Sequence, residues 1–401
     1  MRITDNMRFN ATVNNLFNTQ SQYNDLMEKT VSMKKVNRAS DDPIAATKII
    51  DIRQGIAANA QYRKNIEDGA AWISMTESEL SGAYDLLVTA KGIAMGQATA
   101  TANATSRKIA SRDVQSLIDE MAVIANAKFG DRYLFSGSKN GAAPFSTTPG
   151  EARIEAVEQA GNNVFEGTAL SSGTYSGTTN KTYAVKITQG GSLAEATAQI
   201  STDGGRTWNG NDLSMAGAGG NINLGDDVVL TFGDFSDAKT FGKNDIFVVN
   251  ATAGGYYQGN NDQLSMTINR GMSITYNITG AEAFTASGGG GVDVFKTLND
   301  LKNALDGNDV QEISSQLENL KNAQDQAILK QSLCGTKASH LEMAKNSLDN
   351  LDEKLTSLLS EAQDADFADL ATRLAMKEIA LQASYALAAK ISDITILKFL
   401  T

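Results

Sequence analysis

The chain has 401 residues, 41% of them hydrophobic, a net charge of −11, one Cys and one His. That length can hold two or three domains with packed cores, which excludes wholesale disorder. A single Cys excludes an intramolecular disulfide, and the acidic balance excludes the basic surface a nucleic-acid partner would need. No apolar run reaches the roughly 18 residues of a membrane span. Met1-Arg2-Ile3-Thr4-Asp5-Asn6 lacks the apolar stretch of a secretory signal, so these rules alone give a cytoplasmic protein unless it is exported without a cleaved signal.

Glycine is sorted along the chain: residues 144–291 hold 25 of the 35 Gly, and 14 acidic against 7 basic side chains. Glycine is costly inside helices, so this sorting predicts helical ends and a strand-rich, acidic, exposed middle.

In chain order, residues 10–35 predict an amphipathic helix, with Val13, Leu16, Phe17, Tyr23, Leu26, Met27 and Val31 at three- and four-residue spacing. Met33 to Asp42 is polar and reads as a connector. Ser40-Asp41-Asp42-Pro43 is a helix start, with a capping side chain before a proline at the first helical position. The helix that follows carries Ile52, Asn59, Ile66, Ile73, Leu80, Leu87 and Ala94 at seven-residue intervals. Gly55, Tyr62, Gly69, Thr76, Ala83 and Ala90 follow three residues later and are mostly small, so a second helix can approach closely. A further helix is predicted over 104–128, with Ile109, Val114, Leu117, Ile118, Met121 and Ile124 as its apolar face.

Arg132 to Gly137 reads as a short strand and turn, and Pro144 and Pro149 mark the change to β structure. Strands are predicted at Tyr183–Thr188, Ala198–Ser201, Val228–Phe232, Ile246–Val249 and Met266–Ile268. Gly288 to Gly291 reads as a flexible joint. Helix returns after Val292, with Leu320, Ala327, Cys334, Leu341, Leu348, Leu355 and Ala362 at seven-residue spacing and Leu351 and Leu358 as companions. A last amphipathic segment covers 367–400, including Phe367, Leu370, Leu374, Leu381, Tyr385, Ile391, Ile394 and Leu397.

The two arms match in type and length. Each Leu or Ile taken from water contributes roughly 1.5–3 kcal/mol, so the arms should pair. The fold class is therefore mainly α with an inserted β domain: a long antiparallel helical rod built from both chain ends, with the β-rich domain at its far tip. The rod is 41–143 with 292–364, the insert is 144–291, and 1–40 with 365–401 form terminal helices.

Chemistry is sparse. Cys334 and His340 are six residues apart and share no helix face, so they make no pair. Cys334 reads as a small seam residue and His340 as a flank residue, and no metal site, cofactor or catalytic residue is expected. Ser201-Thr202-Asp203-Gly204-Gly205-Arg206-Thr207-Trp208 resembles the Asp-box turn of sialidases, in which Asp caps backbone amides and Trp packs beneath. It occurs once, in too short a region for a propeller, so the structural hairpin is favoured over glycan chemistry. Asp226-Asp227 reads as a solvated loop, and Tyr256-Tyr257 as packing within the insert.

Two segments of the first arm, Val36-Asn37-Arg38-Ala39-Ser40-Asp41-Asp42-Pro43 and Tyr62-Arg63-Lys64-Asn65-Ile66-Glu67-Asp68-Gly69, resemble the bacterial flagellin family. Ala380 to Tyr385 and the ending Ile396-Leu397-Lys398-Phe399-Leu400 resemble that family's C-terminal helix. The resemblance covers roughly 1–145 and 292–401. Within the family, Arg132 to Ser138 with Pro144-Phe145, and Asp293-Val294-Phe295 before Leu298 and Leu301, resemble members at the hook–filament junction more than the filament subunit.

The resemblance implies a structural, non-enzymatic adaptor, exported unfolded through the flagellar type III channel to an extracellular place in the bacterial flagellum. Its implied partners are a hook-side junction protein, flagellin, further copies of itself in a ring of about eleven, and an export chaperone on the C-terminal arm. It implies no nucleic acid and no membrane insertion. The terminal segments would be disordered in the monomer and fold on assembly. The candidate assembly interface is Leu16, Tyr23, Leu26, Leu370, Leu374, Leu381, Tyr385 and Ile391. The alternatives are filament flagellin itself and, more distantly, a secreted glycan-binding protein.

Overall fold

Helix occupies both ends of the chain and strand its middle, as the sorting of glycine requires. The computed structural model describes residues 5–400 apart from 100, 140, 217–219, 234–239 and 287–290; the side chains of 5, 6, 8, 9 and 391–400 also lie outside the description. The helices are α1 (Asp5–Ser32), α2 (Pro43–Gln97), α3 (Ala104–Ala125), α4 (Gly280–Phe284), α5 (Val294–Asp306), α6 (Val310–Gln363) and α7 (Phe367–Leu400). Strands fall between Lys128 and Thr275. Most of the Gly288–Gly291 joint lies outside the described residues. The chain forms two compact units, Met1–Arg63 with Lys345–Thr401 and Lys64–Ala344, and α2 and α6 contribute to both.

In each unit α2 and α6 run antiparallel. In the first, Asn59 Nδ2 donates to the Leu348 carbonyl at 2.8 Å, and Arg53 Nη2 reaches Gln363 Oε1 at 2.8 Å. In the second, Gly69 lies against Leu341, and Lys91 Nζ meets Gln324 Oε1 at 3.5 Å. Every member of the Ile52-to-Ala94 series is buried, including Asn59. So are Leu320, Ala327, Cys334, Leu341 and Leu348 of the facing series. The buried Asn59 is tolerated because a backbone carbonyl accepts from it.

Three details depart from the sequence reading. The helical return after Val292 is broken at Gly307-Asn308-Asp309. Asn308 adopts a left-handed φ of 54°, and Asp309 caps α6 by accepting from Gln311 N and Glu312 N at 3.0 Å. Leu351 is 42% exposed, and Asp352, one residue on, is the side chain that faces Asn59 and Arg63. Ile109 is 57% exposed, because α3 buries the adjacent stripe Ala110, Val114, Ile118, Met121 and Ala125.

The insert builds one apolar core from two antiparallel sheets. In the larger, Ile246–Thr252 pairs with Lys181–Gln189, which pairs with Thr197–Ser201. In the smaller, Val228–Gly233 lies between Asn221–Gly225 and Thr168–Gly173. Val228–Gly233 alternates buried and half-buried along its length, the period-two signature of a strand covered on one face. Phe165, Phe232, Phe241 and Phe247 meet at the centre, with the rings of Phe165 and Phe241 stacked 4.5 Å apart. Asp226 and Asp227 are not a plain solvated loop. Both have left-handed φ in the turn between Asn221–Gly225 and Val228–Gly233, and the Asp226 carboxylate accepts from Lys181 Nζ at 2.6 Å and Tyr183 Oη at 2.5 Å.

A second aromatic cluster joins helices to strands within the larger unit. Phe145 stacks on Phe295 at 5.1 Å, and Phe135 meets Phe284 edge-on at 5.1 Å. Tyr257, fully covered here, places its hydroxyl against the carbonyls of Phe135 and Asn260. Tyr256 stacks on Phe295, so both tyrosines serve packing, as expected.

Candidate assembly interface

The two chain ends meet at their connectors. Lys35 N donates to the Gln363 carbonyl at 2.8 Å, and Ala365 N donates to the Met33 carbonyl at 3.0 Å, so residues 33–35 and 363–365 form a short antiparallel clip. Asp41 Oδ2 accepts from Asn37 N and Arg38 N at 3.0 Å, and these amides, Arg38 first, hold its carboxyl below the usual carboxylate range. Asp42 Oδ1 accepts from Ile44 N and Ala45 N at 3.0 Å and caps α2. Arg38 clamps Glu28 of α1 through Nη2, at 2.9 Å and 3.1 Å to its two oxygens. The polar connector is thus a folded corner. Beside it, Arg63 Nε lies 3.0 Å from Asp349 Oδ1.

From this corner α1 and α7 run side by side and antiparallel. Lys377 Nζ donates to Gln22 Oε1 at 2.6 Å, and Tyr385 Oη donates to Gln20 Oε1 at 2.9 Å. At 3.6 residues per turn, Leu16, Tyr23 and Leu26 share one face of α1, and all three are half-buried. On α7, Leu370, Leu374, Leu381 and Tyr385 share one face. Leu370 and Leu381 are buried, Leu374 is half-buried, and the Tyr385 ring is 51% exposed. The Ile391 side chain lies outside the described residues.

Each helix also carries apolar side chains away from that shared face, which the sequence reading did not separate. On α7, Met376, Ile379 and Leu387 lie opposite the leucine face and are 64%, 67% and 54% exposed. On α1, Phe17, Met27 and Val31 fall within about 80° of arc and are exposed. A helix that is apolar on two sides is built to be covered on two sides. No described side chain of α1 is fully buried, so the pair by itself is weakly held.

Among the described residues no group of three His, Cys, Asp or Glu could hold a metal ion, and no helix is long and apolar enough to cross a membrane. Cys334 is buried on its seam, and burial pushes its thiol up to about 11. His340 is exposed. The Ser201–Trp208 segment is a capped turn. Asp203 Oδ1 accepts from Ser201 Oγ at 2.6 Å, Arg206 N at 3.0 Å and Thr207 N at 2.9 Å. Partial burial opposes ionisation of Asp203, but the hydrogen bonds from Ser201, Thr207 and Arg206 outweigh it and hold the pKa at about 2.

The bacterial flagellin N-terminal helical region matches residues 3–140, and the bacterial flagellin C-terminal helical region matches residues 317–400, together more than half of the chain. The chain belongs to the bacterial flagellin family. Flagellar hook-associated protein 3 of Salmonella typhimurium is 31% identical to this flagellin-family chain over 151 residues, 37% of this chain and 48% of that protein. A flagellin of Clostridium tyrobutyricum is 28% identical over 142 residues, 35% of this chain and 38% of its own length. The chain thus spans half or less of the length of these curated relatives. Among solved structures, one titled a flagellar hook-associated protein from Vibrio parahaemolyticus is covered in full and covers 81% of this chain, with a TM-score of 0.51 at 15% identity, a likeness of fold alone.

Proposed function

We propose that this flagellin-family chain is a non-enzymatic adaptor subunit that joins the flagellar hook to the flagellin filament. It assembles through α1 and α7 as a ring of about eleven copies, a closed cyclic arrangement. The observation that carries this reading is the double apolar surface of the terminal pair. α7 buries Leu370 and Leu381 within its own unit and still presents Met376, Ile379 and Leu387 on the other side. Likeness to hook-associated protein 3 supports a junction role over that of the filament subunit, for which the Clostridium relative speaks. The partners are then a hook-side junction protein on one side and flagellin on the other. The subunit leaves the cell unfolded through the flagellar export channel, with a chaperone on its C-terminal arm, and works outside the cell. It is organised as terminal helices (1–40 with 365–401), rod (41–143 with 292–364) and outer insert (144–291).

The weakly held terminal pair supports folding on assembly. Hydrogen exchange on the isolated monomer should be fastest over α1 and α7 and slow over the α2–α6 seam. Equal protection at the ends and the seam would overturn it. In cells, deleting 365–401 should release filament subunits into the medium while leaving hooks intact, and filaments of normal length would refute the junction role. Filament flagellin is the second reading, and purified protein seeded on filament fragments separates the two. Growth into long filaments would favour flagellin.

A further inference from the structure

The Asp203 turn holds one wall of a groove in the insert. The groove has a volume of about 540 Å³, inside the range of small-ligand sites of about 300–1,000 Å³. Trp208, Asn209, Thr202 and Thr207 line it from the turn, and Asn223 and Leu224 from the strand Asn221–Gly225. No residue of its lining carries a charge.

The polar groups there have capacity to spare. Asn209 accepts from Ile200 N through Oδ1 at 2.7 Å, and Asn223 accepts from Gly225 N through Oδ1 at 2.9 Å. These bonds fix both amides and leave their Nδ2 donors without a partner among the described residues. Trp208 Nε1 and the Thr202 hydroxyl are likewise uncommitted. The apolar content comes from the half-buried Trp208 and Ile200, over the buried Leu224. Lys186 Nζ lies 5.8 Å from the Trp208 ring centroid, and the lining itself is uncharged. A flat aromatic ring bordered by amides and hydroxyls matches a pyranose, which offers C–H bonds on one face and hydroxyls round its rim.

The wall is rigid before any ligand arrives. Gly204 and Gly205 hold left-handed φ of 74° and 89°, and a Cβ at Gly205 would come within 3.2 Å of the indole, so the turn backbone lies against the Trp208 ring. Ser201 Oγ accepts from Gly205 N at 2.8 Å, and Thr207 Oγ1 donates to Asp203 Oδ2 at 2.6 Å. A pre-formed site loses little entropy on binding. We propose that this groove is a saccharide-binding site for a neutral oligosaccharide, with Trp208 as the stacking platform and Asn209 and Asn223 as donors to ring hydroxyls. Asp203 shapes the site and does not touch the sugar, so the activity is binding without turnover.

Saturation-transfer NMR on the full chain tests this with four neutral trisaccharides: maltotriose, cellotriose, mannotriose and chitotriose. At least one should receive saturation at its ring C–H protons. Trp208→Ala should abolish the signal, and Trp208→Phe should keep part of it. Thr202→Arg, at an exposed position of the rim, blocks the groove without removing packing, and should weaken binding at least tenfold while the melting temperature stays unchanged. Absence of transfer to all four sugars would overturn the proposal. So would transfer that survives both Trp208→Ala and Thr202→Arg, or binding confined to an acidic oligosaccharide or a peptide.

Discussion

Ile379→Asp separates the two apolar faces of α7. Ile379 is 67% exposed on the side opposite Leu370 and Leu381, so the substitution removes no intramolecular contact of note, and monomer stability should change by less than about 0.5 kcal/mol. In the proposed assembly that face is covered. Two-thirds of the roughly 1.5–3 kcal/mol available from burying an isoleucine is about 1–2 kcal/mol per subunit. An unpaired carboxylate in an apolar contact adds a penalty of several kcal/mol. The combined loss of about 3–6 kcal/mol is roughly a hundred- to ten-thousand-fold in each subunit contact, enough to abolish a ring held by repeats of that contact. The assays are thermal unfolding of the monomer, and motility together with filament subunits shed into the medium. Normal motility with an unchanged melt would refute the two-faced reading. A melt lowered by several degrees would show that Ile379 is packed within the monomer.

Gly69→Ala places a Cβ 2.0 Å from the Met266 Cε, the far end of a flexible, half-buried side chain that can swing aside, so the net cost should be at most about 1 kcal/mol. In a Met266→Ala background the same change should turn stabilising, by up to about 1 kcal/mol of helix propensity, and a denaturation double-mutant cycle reads the change of sign. Cys334, with its thiol pushed up to about 11, should resist Ellman's reagent in the native protein and react at once on unfolding. Native labelling at the rate of a free thiol would refute its seam position. Asp203→Asn should destabilise the insert by about 1–3 kcal/mol, read by its chemical denaturation. The unfolded carboxyl titrates near 3.9 and the folded one at about 2, so the stabilisation is complete above about pH 4 and drains away as pH falls toward 2. The Asn variant should lack that acid-side loss.

The seams were legible because a long helix facing another helix repeats one environment every seven residues. That repetition fixed Asn59, Thr76 and Cys334 as buried even though none of them is strongly apolar. Where the environment stops repeating, the reading slipped. Asn308 ends a helix by taking a left-handed backbone that its side chain permits, a signal too short to stand out in a long polar stretch. Leu351 falls outside the buried seam, and at that level Asp352 faces Arg63 and Asn59 instead, a shift that seven-residue spacing alone does not mark. The five predicted strands of the insert all form, but the polar Thr168–Gly173 and Asn221–Gly225, which flank Val228–Gly233, were not marked by their composition, and no pairing was readable. The order of sheets is set by long-range closure, which leaves no local mark.

The family signature and the proposed assembly surface are different residues. Leu134, Phe135 and Ser136 of the segment resembling the junction members are buried, and Gly137 has a left-handed φ of 69° where a Cβ would strike the Asn260 carbonyl at 2.5 Å. These residues are recognisable because the packing admits few substitutes, and that same packing removes them from contact with any neighbour. The surface proposed for assembly is the exposed set Phe17, Met27, Val31, Met376, Ile379 and Leu387, whose only requirement is to be apolar and helical. Such a requirement many sequences satisfy, so it writes no motif. It shows instead as a failure of contrast, a helix with apolar side chains on two sides and no described side chain of its partner fully buried. On the proposed route, in which the chain travels unfolded and folds among its neighbours, weak intramolecular burial at the ends is the condition for tight burial between subunits.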